Sequence, residues 1–554
     1  MVAAASPRSR SVALVGAMGA GKSTVGQALA AALGLAFVDV DVEITRQAGR
    51  SIAALFEERG EAAFRALERD VLAALLRGPP QVLACGGGAV LDAGSREALR
   101  GVDTLWLAAE PRTLADRIAG DAGRPLAGDA EAMRVLLRRR RAAYADVALA
   151  VVRTDLEGED DDPGFAVAST VGRCLAVLTA VDDARTGRAG VDVEATPAGT
   201  PCRLVGGRAA WERALPGLVR LAGAGIDLVT DPRVDALHGG RVRADLQSVG
   251  CEVRRHLLPG DEAHKDLPTW SALMGDLLAS GADRDRLIVA LGGGVVCDMA
   301  GFAAATLLRG VRHVLLPTTV LAQVDASIGG KTGVDTPLGK NLIGAFHQPR
   351  LVVCEPSWLS TLPERERRAG LAEIVKTALV RDAGLLEHLE QDADALAAGD
   401  AEALARVSGR TALAKLEVVV ADSHEGGLRR CLNFGHTIGH AIEREAGFGV
   451  VLHGEAVAIG MIAALRVGVS LGVGDAALVE RVGALLERLG LPVQVPSALT
   501  WPALVEATRH DKKAHGRSVR FVLVPEPGTF ETRDVDAETL LAAWHPPAAE
   551  EAGR

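Results

Sequence analysis

The first third of the chain repeats one pattern of hydrophobic and polar positions. Within residues 1–179, short apolar segments at 12–15, 82–84 and 104–107 alternate with longer stretches of helical periodicity. Such segments predict buried strands that alternate with amphipathic helices. The sequence therefore predicts a first α/β domain, built on a parallel sheet with helices on both faces.

The rest of the chain changes its pattern twice. Residues 180–190 lack apolar periodicity and predict a linker. Residues 191–360 return to short apolar segments between helical stretches, which predicts a second, Rossmann-like α/β domain. In residues 361–554 helical patterns rich in alanine and leucine dominate, which predicts a mainly α-helical third domain. The strands predicted in the second domain are 191–195, 203–205, 227–230, 287–291 and 314–316.

Composition and charge narrow the class of protein. The 554 residues are 48% hydrophobic, and 61 basic against 71 acidic side chains give a formal net charge of −10. This charge disfavours nucleic acid as a partner, and the apolar stretches are too short to predict a membrane span. The seven cysteines are scattered without any Cys-x-x-Cys pair, which favours a reducing compartment. We therefore expect a cytoplasmic protein.

A glycine-rich segment follows the first predicted strand and opens the next helix. Residues 16–24 match the pattern G-x-x-x-x-G-K-[ST]. Glycines bring backbone amides close to phosphate oxygens, and a helix N-terminus adds partial positive charge. The lysine suits the β- and γ-phosphates and the serine suits Mg²⁺, so the segment predicts a site for ATP with Mg²⁺. The predicted contacts are Gly19, Ala20, Gly21, Lys22, Ser23 and Thr24.

Polar residues beyond this loop indicate how an acceptor is held. Asp39 and Asp41 end the next strand-like segment, where both carboxylates are expected to point into a cleft. We assign Asp39 to the metal and Asp41 to the acceptor hydroxyl as a general base. Arg124 lies in a polar, glycine-flanked segment that we interpret as a lid.

The order of these motifs resembles shikimate kinase over residues 11–178. The matching motifs are G-A-M-G-A-G-K-S-T, D-V-D, F-R, G-G-G, R-P-L and R-x-x-x-Y. The resemblance implies that Arg124 stabilises charge on the transferring phosphoryl group. Ala142 stands where the family usually has proline, so among residues 138–141 the substrate arginine is chosen by its spacing from the tyrosine. The residues implied to bind shikimate are Asp41, Arg65, Gly87 and Arg140.

The second half holds polar residues around several glycine-rich segments. Residues 292–294 are glycines that follow a predicted strand and allow a pyrophosphate to approach the backbone, although Cys297 breaks the G-x-G-x-x-G pattern. Three lysines in glycine-flanked loops indicate recognition of an anionic ligand. They are Lys265, Lys331 and Lys340.

Four side chains further along the chain are candidate metal ligands. His436 and His440 lie four residues apart on one predicted helix face, and His453 begins the next segment. With Glu373 they offer histidines and a carboxylate, a set that leaves positions open for a substrate on the metal. The pattern H-E-x-x-H is absent because Thr437 follows the first histidine, which disfavours a metalloprotease.

Residues 191–540 resemble 3-dehydroquinate synthase. The motifs are G-G-G-V-V-x-D, R-G-V, P-T-T, Q-V-D-A-S-I-G-G-K-T, L-G-K-N-L-I-G-A-F, G-L-A-E-I-V-K, L-N-F-G-H-T-I-G-H and L-H-G-E-A-V. The resemblance implies Zn²⁺ or Co²⁺ on Glu373, His436 and His453. It implies NAD on Gly260, Asp261, Glu262, Ala263, His264, Lys265, Gly294, Val295, Val296, Cys297, Asp298, Thr318, Thr319, Asp325, Lys331 and Lys340. It implies substrate contacts by Lys331, Asn341, Lys376, Lys415, Arg429, Asn433 and His440, with Arg309 on the phosphate.

The two resemblances together imply a bifunctional enzyme of the shikimate pathway. The first half would phosphorylate shikimate with ATP. The second would convert 3-deoxy-D-arabino-heptulosonate 7-phosphate into 3-dehydroquinate and phosphate. NAD takes up and returns one hydride in that reaction, so the second half would be a lyase without net oxidation. The expected partners are these small molecules, and the synthase resemblance implies a homodimer.

Other interpretations of the residues stay open. The second half could be another sugar-phosphate cyclase or, with less support, an oxidoreductase similar to glycerol dehydrogenase. The first half could phosphorylate another carboxylated alcohol, such as gluconate. One half could also be a silent scaffold, although Lys22, Asp41 and the candidate metal ligands are all present.

Overall fold

The first half folds around a five-stranded parallel sheet. The computed structural model describes residues 8–119, 129–156, 163–186, 190–447, 449–508, 514–515 and 518–543. The sheet order is β2-β3-β1-β4-β5, and β1 and β4 are buried along their whole length, as expected for parallel strands covered on both faces. The strands are β1 Val12–Val15, β2 Ala36–Asp39, β3 Gln81–Ala84, β4 Asp103–Ala108 and β5 Ala150–Arg153. The helices are α1 Lys22–Leu33, α2 Val40–Ala48, α3 Ile52–Arg77, α4 Ala93–Arg100, α5 Pro111–Arg117, α6 Ala130–Val147 and α7 Pro163–Thr186.

This strand order brings three loops together at one edge of the sheet. The neighbouring strands β2, β3 and β1 are parallel, so their carboxyl ends lie side by side. The glycine loop after β1 passes directly into α1, and Gly16, Gly19 and Gly21 have positive φ angles of 146°, 79° and 80°. Only glycine adopts such angles without strain, which is why the loop can present its backbone at this edge.

A seven-stranded sheet forms the first part of the second half. Its order is β6-β7-β14-β11-β10-β8-β9, and within the described part of this sheet only β6 and β7 pair antiparallel. The strands are β6 Val191–Ala195, β7 Cys202–Gly206, β8 Gly225–Thr230, β9 Val253–Leu257, β10 Arg286–Gly292, β11 His313–Pro317 and β14 Leu351–Cys354, with the hairpin β12 Lys331–Thr336 and β13 Gly339–Phe346. The helices are α8 Ala210–Leu221, α9 Pro232–Val234, α10 Gly240–Ser248, α11 Leu267–Ala279 and α12 Gly294–Thr306.

The last part of the chain is mainly helical. Helix α18 is apolar on all sides and lies at the centre of this part, packed against α13, α17 and α19. The helices are α13 Glu364–Arg381, α14 Ala383–Gln391, α15 Ala393–Ala398, α16 Ala401–Ala421, α17 His436–Ala446, α18 His453–Ser470, α19 Ala476–Arg488, α20 Trp501–Thr508 and α21 Ala537–Ala543. A small sheet contains β15 Ala514–His515, β16 Ser518–Leu523 and β17 Glu531–Asp536.

The architecture confirms the predicted fold class, with local differences. Helix α7 extends to Thr186, into the segment predicted as a linker, because Val181 packs into the core of the first half and Arg185 pairs with Asp103 at 2.9 Å. The hairpin β12–β13 was not predicted. Within the described ranges, no helix combines the length and hydrophobicity needed to cross a membrane.

Two candidate active sites

The glycine loop of the first half holds its lysine against its own backbone. The Nζ atom of Lys22 donates to the carbonyls of Gly16 and Ala17, both at 3.0 Å. The next residue, Ser23, donates its hydroxyl to Oδ2 of Asp39 at 2.6 Å. A hydroxyl and a carboxylate therefore meet beside the loop, in the arrangement expected for a Mg²⁺ ion and its bound water.

The two predicted aspartates occupy different local structures. Asp39 is the last residue of β2 and the N-cap of α2, where its Oδ1 accepts from the amides of Asp41 at 3.0 Å and Val42 at 3.4 Å. Asp41 thus lies in the first turn of α2, and its predicted position at a strand end is wrong because the strand stops two residues earlier. A Cβ atom built on Gly86 would lie 2.7 Å from Oδ1 of Asp41. The carboxylate of Asp41 therefore lies close to the backbone of the loop that follows β3.

An arginine and a glutamate on α3 complete this wall of the site. Nη1 of Arg65 donates to Oε2 of Glu68 at 2.6 Å, and the guanidinium lies over the rings of Phe56 and Phe64. Glu68 is fully buried, and this burial raises its pKa although Arg65 opposes the shift. The sequence analysis missed Glu68. Its position three residues after Arg65 on a helix is the signal that could have found it.

Helix α6 brings a second arginine to the opposite side. Nη1 of Arg140 donates to the carbonyl of Gly87 at 3.0 Å, and the hydroxyl of Tyr144 donates to the same oxygen at 2.5 Å. The fold therefore brings Asp41, Arg65, Gly87 and Arg140 to one edge of the sheet. Arg124, the predicted lid residue, lies outside the described residues.

A further arginine touches the glycine loop. Nη1 of Arg117 donates to the carbonyl of Gly19 at 3.3 Å and to the Thr154 hydroxyl at 3.0 Å. It lies on α5, after β4, and no motif in the sequence marked it. Arg117 thus links the phosphate loop to the end of β5.

Three side chains in the second half converge as a metal-binding group. Each of these residues offers one ligand atom, and the three atoms lie within 4.8 Å of one another. The residues are Glu373, His436 and His453. The Nε2 atoms of both histidines are 3.6 Å from Oε1 of Glu373. The carboxylate is buried and also contacts the ammonium group of Lys376. A buried carboxylate facing two imidazole nitrogens fits a divalent metal.

The other nitrogen of each histidine is held by the protein. Nδ1 of His436 lies 3.0 Å from the carbonyl of Phe434, and Nδ1 of His453 lies 3.2 Å from Oε2 of Glu443. Such partners fix the ring orientation and leave Nε2 for the metal. Glu443 was not predicted, although it lies on the same helix as His436 and His440. The His440 ring centroid is 5.4 Å from that of His436, so all four candidate ligands cluster here.

Buried lysines surround the metal-binding group. Nζ of Lys415 lies 2.6 Å from Oδ1 of Asp325, and Nζ of Lys376 lies 3.7 Å from the same oxygen and also contacts Glu373. Burial alone would raise the pKa of Asp325, but the two ammonium groups outweigh it and lower this pKa. Each ammonium group of this cluster therefore lies beside a carboxylate.

The predicted nucleotide residues lie at the carboxyl edge of the seven-stranded sheet. Helix α12 begins at Gly294 after β10, and Thr318 follows the neighbouring strand β11. Nζ of Lys265 reaches Oδ2 of Asp298 at 2.6 Å and Oδ1 of Asn341 at 2.7 Å. In α/β sheets, dinucleotides bind at the turn between the carboxyl end of a strand and the N-terminus of the following helix.

Two of the remaining substrate candidates, Lys331 and Asn433, are joined by a residue that the sequence analysis missed. Glu425 accepts from Lys331 at 2.7 Å and from Asn433 at 3.0 Å. Arg429 is buried and donates to the carbonyls of Ser423 at 2.9 Å and Gly329 at 3.3 Å. Arg309 is exposed on the turn after α12, and no hydrogen bond or ion pair in the described ranges joins it to this cluster.

The fold and the two sites define a phosphate-loop kinase joined to an enzyme with a dinucleotide edge and a metal-binding group. The model for shikimate kinase matches residues 18–175, and the models for the N-terminal and C-terminal parts of 3-dehydroquinate synthase match residues 255–369 and 370–514. The chain belongs to the 3-dehydroquinate synthase family, and its first part is a shikimate kinase domain.

Individual relatives agree with these matches. The 3-dehydroquinate synthase of Pelobacter propionicus is 46% identical over 335 residues, which is 60% of this chain and 91% of the relative. That of Nostoc punctiforme is 48% identical over 309 residues, covering 55% and 85%. A solved 2-epi-5-epi-valiolone synthase from Streptomyces hygroscopicus, with NAD⁺ and Zn²⁺ bound, is 30% identical with a TM-score of 0.57, covering 62% of this chain and 94% of that one. The predicted bifunctional shikimate-pathway enzyme is thereby confirmed.

Proposed function

We propose that the kinase half binds shikimate between α2, α3 and α6 with Asp41, Arg65, Gly87 and Arg140. The observation that carries this assignment is the meeting of both arginines and Asp41 around the backbone after β3. Two guanidinium groups suit the planar carboxylate of the acceptor, and the carboxylate of Asp41 suits its hydroxyl groups. Asp41 would accept the proton of the hydroxyl that is phosphorylated.

The phosphate loop would hold the donor nucleotide. The ammonium group of Lys22 donates to two carbonyls of the loop. From this position it can rotate to contact the β- and γ-phosphates of ATP. Ser23 and Asp39, which are hydrogen-bonded to each other, would hold Mg²⁺. Arg124 is proposed to neutralise charge on the transferring group. The backbone of Gly19, Ala20, Gly21 and Thr24 would line the phosphates.

In the synthase half, we propose Glu373, His436 and His453 as the ligands of Zn²⁺. The support is the buried carboxylate of Glu373, which lies 3.6 Å from both Nε2 atoms, and the orientation of the two histidine rings by Phe434 and Glu443. When bound, the metal polarises a substrate hydroxyl and NAD accepts and later returns a hydride. The residues proposed for NAD are those at the carboxyl ends of β10 and β11 and on the segment 260–265.

The cations of the site would hold a substrate with two anionic ends. Lys376, Lys415 and Arg429 are buried beside the metal-binding group, and their mutual repulsion is reduced by Asp325. Fixed ammonium and guanidinium groups bind carboxylates and phosphates strongly when water is excluded. The further substrate contacts that we propose are Lys331, Asn341, Asn433, His440 and Arg309.

Localisation and assembly are also proposals. All seven cysteines are buried and unpaired, a state that suits the reducing cytoplasm. The partners would be the small substrates and a second copy of the chain, joined through the synthase half, with no role for nucleic acid or a membrane.

The deciding experiment follows phosphate release from heptulosonate phosphate by the full-length chain. We expect release that needs both NAD and a metal, dehydroquinate as product and no net NADH. Glu373→Gln should lose bound zinc and at least about 1,000-fold in turnover, because several kcal/mol of charge stabilisation disappear.

Two controls accompany this test. Glu366→Gln changes an exposed carboxylate on the same helix and should leave turnover unchanged. Shikimate phosphorylation by each variant reports that the chain is folded. Full turnover in zinc-free protein, or in Glu373→Gln, would contradict the proposed metal ligands.

A further inference from the structure

Helix α6 belongs to the kinase half but lies against the synthase half. Arg140 and Tyr144, four residues apart on one face, both donate to the carbonyl of Gly87 in the acceptor site. Arg141 follows directly and points away from that face, because consecutive helix residues differ by about 100° in direction. The same helix therefore presents one arginine to the kinase site and the next to the synthase half.

Arg141 is bound by three backbone oxygens of the synthase half. Its Nη2 donates to the carbonyls of Ala222 at 2.9 Å and Gly223 at 2.5 Å, and its Nη1 donates to that of Gly250 at 3.1 Å. Ala222 and Gly223 follow the end of α8, where helix carbonyls lack partners within the helix. A guanidinium satisfies several such oxygens at once and holds its own helix in a fixed position.

The backbones of the two halves also touch near this point. A Cβ atom on Gly250, whose φ is 83°, would lie 3.0 Å from the backbone nitrogen of Arg138 on α6. The synthase backbone therefore approaches α6 within one turn of Arg141. A helix contacted this closely cannot shift towards the synthase half.

The contact is reciprocal. Arg220 on α8 donates to the carbonyl of Ala145 near the end of α6, so each helix supplies an arginine to the carboxyl end of the other. Nearby, Nη1 of Arg153 lies 3.1 Å from Oδ1 of Asp245, and both side chains are buried. Apolar residues of α6 and α8 share one core. They are Tyr144, Ala145, Val147, Trp211, Leu215 and Leu218.

We propose that the synthase half positions the shikimate-binding helix of the kinase half, with Arg141 as the positioning residue. Arg141 does not touch the acceptor. It fixes helix α6 in the position in which Arg140 contacts the carbonyl of Gly87. This inference rests on the proposed role of Arg140. The kinase site would therefore be fully shaped only in the presence of the synthase half.

The test compares variants of the full-length chain in both assays. Arg141→Ala is expected to raise the KM for shikimate about 10- to 100-fold, as expected for a displaced binding group. The KM for ATP and the synthase activity should change less than about twofold, because the phosphate loop and the metal-binding group lie elsewhere. Arg141→Lys keeps the charge but loses the forked geometry, so it should fall between.

Matched variants separate the possible outcomes. Arg139→Ala removes an exposed arginine from the same helix and should leave every constant unchanged. Arg220→Ala removes the reciprocal contact from the synthase side and should raise the same KM; it also serves if Arg141→Ala fails to fold.

Two results would overturn the proposal. One is an unchanged KM for shikimate in Arg141→Ala and Arg220→Ala. The other is an equal loss in both KM values and in synthase activity, which indicates general loosening. The Arg140→Ala variant tests the proposed function separately. An unchanged KM for shikimate in this variant would show that Arg140 does not bind shikimate.

Discussion

The kinase and synthase sites differ in the groups that their lysine side chains contact. The phosphate loop of the kinase half relies on backbone atoms freed by glycine, and its lysine contacts carbonyl oxygens. In the synthase half, the lysines of the site each contact a carboxylate. The pairs are Lys265–Asp298, Lys331–Glu425, Lys340–Glu443, Lys376–Glu373 and Lys415–Asp325.

This difference follows from the depth of the two sites. Lys376 and Lys415 are almost fully buried, and an isolated ammonium group at such a position would cost several kcal/mol. The carboxylates beside them make a dense cationic site possible inside the protein. Asp41 in the kinase half is only partly buried. We therefore expect a substitution at Asp41 to affect mainly the kinase reaction, and substitutions at Lys376 or Lys415 to disturb the neighbouring carboxylates as well.

In the kinase half, the largest effect is expected from Asp41→Asn. Loss of the proposed general base should lower kcat for shikimate phosphorylation about 100- to 10,000-fold, while synthase turnover and Tm stay unchanged. Asp70→Asn, an exposed aspartate on α3, is the control. A kcat that stays near that of the unmodified chain would show that Asp41 is not the base.

A smaller effect is expected from Glu443→Gln in the synthase half. The carboxylate orients His453 and also contacts Lys340, so its loss should weaken zinc binding about 10- to 100-fold. Competition with a chromophoric chelator measures this affinity, and Glu445→Gln on the same helix is the control. Equal zinc affinity in both variants would mean that Glu443 does not support the metal site.

A third effect concerns a carboxylate whose contact with Arg241, at 3.2 Å, does not offset the cost of its burial. Burial, together with the charge of Glu355, raises the pKa of Glu212 from 4.5 to about 7. The folded chain then binds more protons than the unfolded chain between these values. The free energy of unfolding should therefore fall as pH rises through this window, by up to about 3 kcal/mol.

Glu212→Gln removes that dependence. The variant should melt above the unmodified chain at pH 8, and this advantage should shrink towards pH 5. Glu194→Gln, at an exposed position, should show no such pH-dependent difference. Parallel melting curves of the Glu212 variant and the unmodified chain at both pH values would contradict the raised pKa.

Much of both sites could be predicted from contiguous motifs. The glycine loop lies in nine consecutive residues, and its function depends on local backbone geometry that the sequence specifies. His436 and His440 share one helix face for the same local reason. The strands at 12–15, 227–230 and 287–291 were predicted because these segments are mostly apolar, and the structure extends the last two to Gly225–Thr230 and Arg286–Gly292.

Two residues that were missed gain their roles through tertiary contacts. Glu443 and Glu425 are ordinary charged residues in the sequence, and only folding brings them to His453 and Lys331. Likewise, the predicted linker at 180–190 lacks apolar periodicity, yet residues up to 186 are helical because Val181 and Arg185 find partners in the first sheet. Tertiary contacts override weak local preferences in such segments.

The sequence by itself determined the two enzyme classes, the phosphate loop and the set of candidate metal ligands, because glycine geometry and helical spacing are local properties. Only the tertiary structure decided which carboxylate accompanies each buried lysine, and that Arg141, next to the predicted Arg140, contacts the synthase half. Arg140 and Arg141 are chemically identical neighbours, and their different partners depend on the packing of α6 between the two halves of the chain.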